Sequence, residues 1–133
     1  MKAYSIILMT VLMSHLVTAQ NVLMDKKAVA HFYSDAPIED IEATNEDAIG
    51  AIDLTKGTVA VSMLIRNFHF DKSLMEEHFN ENYLESEKYP KALFKGKIQD
   101  FENLDFTQTG TFTAMAIGEL EIHGVTRPIK SDV

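Results

Sequence analysis

Beyond residue 19, the side chains able to do chemistry are few: His31, His69, His78 and His123, scattered carboxylates, and Arg127 at a turn. A histidine ring titrates near neutrality and can meet a ligand or relay a proton. None of the four stands at His-x-x-x-His spacing from another on one element, so no metal is expected. Glu76 and Glu77 are adjacent, and neighbours on a helix diverge rather than converge on one substrate. No Gly-x-Ser-x-Gly elbow, phosphate loop or zinc-protease motif occurs, so no catalytic residue and no cofactor is assigned. His78 and His123 each have two readings, contact with a ligand head group or a core ring donating to a backbone carbonyl. Arg127 has two as well: a guanidinium fork holding an anion, or a turn residue in a salt bridge.

Composition bounds the scaffold that must position these groups. A chain of 133 residues makes one small domain, and 46% hydrophobic with 24% charged residues is ordinary for a chain with a packed core. Twenty acidic against twelve basic residues give a formal net charge of −8, which repels nucleic-acid phosphates and anionic lipid surfaces. The absence of cysteine excludes disulfides, thiolate metal sites and cysteine nucleophiles. At the amino terminus Lys2 precedes an apolar run from Ile6 to Leu16, followed by Val17, Thr18 and Ala19. That pattern predicts an export signal over residues 1–19 and a periplasmic or secreted destination. The run is shorter than the roughly 20 apolar residues of a membrane span, so no span is expected after cleavage.

The rest of the chain alternates with the period of strands. Val59, Val61, Met63 and Ile65 share one phase and Thr58, Ser62 and Arg66 the other, with a bulge or strand end expected near Asn67. Ala48–Leu54 joins that strand through Thr55-Lys56-Gly57, a hairpin signal. Leu74, Met75, His78 and Phe79 then fall at helical spacing, with Ser73 and Glu76 placed for a capping box. Strand resumes at 92–98, where Phe94 and Ile98 oppose Lys95 and Lys97. The longest alternation spans Thr111–His123, on the order of 40 Å at about 3.3 Å per residue. The stretch Ser34–Asp47 is acidic and ambiguous between loop and strand. Antiparallel strands with one short inserted helix favour an all-β barrel. Along the last strand Phe112, Ala114, Ala116, Gly118, Leu120 and Ile122 share one face, and its three small members leave room either for a ligand or for side chains from the opposite wall.

Two segments carry a family resemblance. His78-Phe79-Asn80-Glu81-Asn82-Tyr83 through Tyr89-Pro90-Lys91-Ala92-Leu93-Phe94 resembles the histidine, aromatic and Tyr-Pro-x-x-x-Phe segment of the YceI-like family. Gly118-Glu119-Leu120-Glu121-Ile122-His123-Gly124-Val125-Thr126 is similar to its Gly-x-Leu-x-x-His-Gly-Val-Thr signature. The resemblance implies an antiparallel lipocalin-like barrel over residues 20–133 that carries a long isoprenoid or similar lipid in its interior. Phe79, Phe94, Phe112, Ala114, Ala116, Gly118 and Leu120 would then line the ligand, with His78, His123 and Arg127 near its head group. Family members carry further strands where this chain has Ser131-Asp132-Val133, so the domain reads as incomplete at that end, with an open edge through which two chains could pair. The alternatives are an envelope interaction module with a packed interior, and an enzyme in which His78, Glu81 and Arg127 converge on a lipid head group. For the export reading, the mass of the exported protein should correspond to a chain beginning at Gln20; an intact amino terminus retained with membranes would contradict it.

Overall fold

The computed structural model describes residues 21–133 apart from Ala36; the export signal expected over residues 1–19 lies outside them. Six strands follow one another: β1 (Val22–Ser34), β2 (Ile41–Asp53), β3 (Thr58–Leu64), β4 (Lys91–Ile98), β5 (Met115–Ile122) and β6 (Val125–Asp132). Each pairs antiparallel with the next, giving one sheet in the order of the sequence. Among the described residues a single α-helix, α1 (Ser73–His78), continues into a π-turn over Phe79–Tyr83 between β3 and β4. The all-β antiparallel architecture with one short inserted helix is the expected one. The sheet does not close, for β1 and β6 each keep one edge without a strand partner among the described residues.

The strands form where alternation is clean. On β4, Ala92, Phe94 and Ile98 are buried and Lys91, Lys95 and Lys97 exposed, which fixes which face is interior. The β2–β3 hairpin forms where its loop was expected, and the Asp53 carboxylate accepts the Thr55 and Lys56 amides at 2.9 and 3.1 Å. After Leu64 the backbone leaves the sheet in a 3-10 turn, Ile65–Asn67, and a two-residue bridge between His69 and Thr44 ties that turn back to β2. At this end Asn45 is fully buried, donating to the Leu64 carbonyl at 3.0 Å and accepting from the Asp47 amide at 3.0 Å. The main core joins Val59, Phe94, Ile98 and Ala116, flanked by Ile52, Phe101 and Leu104.

Four local expectations are corrected. The ambiguous acidic stretch is mostly strand, because the whole of Ile41–Asp53 is in β2. The last long strand begins at Met115 rather than Thr111: Phe112 turns aside to pack edge-on against Phe106 at 6.5 Å, and Ala114, just before the strand, exchanges backbone hydrogen bonds with Val133. The capping box does not form. Lys72 occupies the N-cap, and Glu76 reaches past it to accept the Phe70 amide at 3.2 Å. The expected apolar face of α1 is not buried either, as Leu74 and His78 are both exposed.

The small residues of β5 have a local cause. Gly118 lies opposite Gly96 on β4, and a Cβ on Gly118 would sit 2.0 Å from the Lys95 carbonyl oxygen and 2.4 Å from the Gly96 Cα. Ala116 is fully buried in the core. Hence their size accommodates neighbouring strands and core side chains rather than open space. Gly118→Val is expected to destabilise the fold by about 1–3 kcal/mol or more, read as a lowered denaturation midpoint; an unchanged midpoint would contradict the tight strand approach.

Candidate functional site

The inner face of the sheet leaves an apolar groove of about 980 Å3. That is within the usual size range of ligand pockets. Its walls come from the period-2 alternation of the central strands: Val59, Val61 and Met63 of β3, Phe94 of β4, and Leu120 and Ile122 of β5. Both edge strands border it, β1 through residues such as Leu23 and Phe32 and β6 through Ile129, so the sheet curls far enough for its two free edges to flank one cavity. Phe68, Phe79 and Leu84 reach it from outside the sheet. Phe79 anchors an aromatic cluster, with ring centroids 4.8 Å from Phe70, 6.0 Å from Phe68 and 6.5 Å from Phe32. Such tilted and edge-on contacts order the rings beyond what burial alone would do.

Of the sequence-derived candidates, the groove brings together Phe79, Phe94 and Leu120. Ala116 lies in the core, Ala114 packs against it, Gly118 is held under the β4 backbone, and Phe112 belongs to the Phe106 cluster; none of the four borders the groove. His78 is exposed on α1 and Arg127 exposed on β6, opposite Leu120 in the strand register. Glu81 borders a separate polar pocket with Arg66 and Ser86, which neither His78 nor Arg127 lines. The three side chains of the enzyme reading therefore do not share a cleft. The groove also takes Val61, Met63, Ile122 and Leu84; strand alternation in β3 and β5 accounts for the first three, and no periodicity points to Leu84.

His123 takes a third course that neither sequence reading contained. Its Nε2 lies 2.9 Å from the Glu85 carboxylate, and the Tyr89 ring packs edge-on against the imidazole at 4.8 Å. His123 and Gly124 form the β5–β6 turn with φ of 52° and 70°, the left-handed pair of a tight hairpin. Gly124 is further constrained from above, since a Cβ there would lie 2.8 Å from the Tyr89 ring. The two motifs that carried the resemblance thus meet in space, Glu85 and Tyr89 from the first and His123-Gly124 from the second. The hydrogen bond from His123 holds the Glu85 carboxyl below its ordinary value of 4.5; desolvation opposes the shift and the charge of Lys88 aids it.

The sequence profile of the YceI-like domain family matches residues 18–133. In three dimensions the chain is similar to a polyisoprenoid binding domain from Saccharophagus degradans implicated in plant cell wall breakdown. The TM-score is 0.58 at 13% identity, over 86% of this chain and 66% of that one. It is also similar to a YCEI protein from Campylobacter jejuni, with a TM-score of 0.45 and 17% identity over 99% of this chain and 67% of that one. The chain thus spans about two thirds of the length of these solved structures. No curated protein matches it in sequence.

The Glu85–His123 bond has a measurable linkage. A carboxylate with a depressed folded-state pKa contributes stability that is present above its unfolded value and is lost as pH falls through the folded one. The stability gap between the wild type and Glu85→Gln should therefore hold from neutral pH down to about 4.5 and close below it, followed by denaturant titration at each pH. A gap that persists far below that range would contradict the assignment.

Proposed function

The chain belongs to the YceI-like family, and from that premise we propose that it binds and carries a long-chain isoprenoid or similar lipid in the cell envelope. The observation that carries the reading is the apolar groove of about 980 Å3, walled by Val61, Met63, Phe94, Leu120 and Ile122 and bordered by both free strand edges. A hydrocarbon suits such walls, because each methylene removed from water is worth about 0.8 kcal/mol and needs no polar partner. A branched isoprenoid adds methyl groups that pack against Val, Ile and Phe side chains as they pack against one another. The fold-mate from Saccharophagus degradans, a polyisoprenoid binding domain, supports the same ligand class. Removal of residues 1–19 during export would deliver the domain to the periplasm or outside the cell, where a carrier shields a lipid from water in transit. Among the described residues, no helix is long and apolar enough to cross a membrane.

Protein purified from its own host should release a long-chain lipid on organic extraction, identified by mass spectrometry. Val61 stands on the groove wall and is only partly buried, so Val61→Phe intrudes on the cavity with little overpacking of the core. Displacing even two methylenes, at about 0.8 kcal/mol each, is expected to weaken isoprenoid binding by roughly tenfold. Unchanged affinity in a folded Val61→Phe protein would sink the groove as the lipid site.

A further inference from the structure

The segment that crosses from β3 to β4 is attached to the sheet asymmetrically. Its two feet are tied together at neighbouring strand ends, where the Ile65 amide donates to the Pro90 carbonyl at 2.9 Å. Between them α1 buries no residue, and its neighbourhood is held by exposed polar contacts such as Lys72 with Glu39 and His69 with Glu76. Yet Phe79 and Leu84 from this segment reach the groove. Five residues before the Pro90 foot, Glu85 bonds to a different hairpin, at His123 of the β5–β6 turn.

We propose that residues 71–88 form a flap over one end of the groove, hinged at the β3 and β4 ends and latched by the Glu85–His123 pair. This assigns a regulation to the groove and rests on the reading of that groove as a lipid site. Both latch residues stand next to groove-lining ones, Leu84 before Glu85 and Ile122 before His123, so the hydrogen bond holds the flap's apolar side chains beside the sheet wall. Both also adopt left-handed backbone, Glu85 at φ 47° and His123 at φ 52°, a conformation unfavourable for side-chain-bearing residues unless the surroundings enforce it. The flap's own packing is imperfect: its helix passes into a π-turn, and the Asn80 Oδ1 atom is buried with no hydrogen-bond partner. An unmet buried acceptor and a helix that buries no residue are the marks of a segment that opens below the global unfolding free energy. Tyr89, packed on His123 and over Gly124, marks where the moving part ends.

The test uses the whole mature chain and a fluorescent long-chain isoprenoid alcohol presented in detergent micelles. Asn tolerates left-handed backbone but is too short to keep the bond, so Glu85→Asn removes the latch without adding strain. Release of bound probe should accelerate by about two- to fivefold in Glu85→Asn, the range for a partly exposed ion pair, with unchanged stoichiometry and partial restoration in Glu85→Gln. Hydrogen exchange of the ligand-free protein provides the independent readout: amides of 79–85 should exchange faster while sheet amides do not, and Glu85→Asn combined with His123→Asn should open the segment no more than either alone. Unchanged release, or faster exchange shared by the whole sheet, would overturn the flap. Should the wild type take up no probe, the lipid reading fails, and acceleration confined to 79–85 would still establish the latched flap as a property of the fold.

Discussion

At the centre of the sheet two backbones come closer than any side chain would allow. Gly96 and Gly118 face each other across β4 and β5, and the space a Cβ would need at Gly118 is already filled by the Lys95 carbonyl and the Gly96 Cα. The Phe94 ring lies over Gly96, where a Cβ would meet its Cζ at 2.7 Å, so the aromatic covers backbone that glycine leaves bare. Phe94 is at once a core residue and a groove wall. Glycines of this kind are where a sheet can bend, and residues of both edge strands, β1 and β6, border one cavity.

The chain is most legible where one rule governs a segment. Alternation in β3 and β4 predicts their inward residues because each strand has one buried and one solvated face. β1 escapes such a reading: register shifts between Asp25 and Ala28 and again between Ala28 and Ala30 break the period, and most of its residues are exposed. At β5 the error runs the other way, since Thr111–Ala114 continues the alternation in sequence while Phe112 is drawn off to the Phe101–Phe106 cluster. Glu76 bonds the Phe70 amide and His69 instead of the helix N-terminus. Each miss is a tertiary contact that outbid a local preference.

For the site the division follows chemistry. Phe79, Phe94 and Leu120 are legible as large apolar residues on inward phases, and they meet at the groove. Ala114, Ala116 and Gly118 show that small size has two meanings, room for a ligand or room for a neighbouring strand, which composition alone does not separate. The partner of His123 is 38 residues away at Glu85, and no periodicity links them. What the sequence did contain was the pair of motifs, and their meeting at one turn gives the resemblance a physical basis: the turn and the segment after the π-turn are shaped to each other.

The strand order also bears on how the molecule assembles. Every strand pairs with its successor, so nearly all sheet contacts can form by closing one loop at a time, and the entropy of each closure rises only slowly with loop length. The β5–β6 hairpin, with its two-residue left-handed turn, is the cheapest of these closures and a natural place for pairing to begin. The excursions between β3 and β4 and between β4 and β5 are the steps that span longer stretches of chain. A meander of this kind lies toward the fast end of β-rich folding, well clear of the slow, non-local pairing that Greek-key sandwiches require.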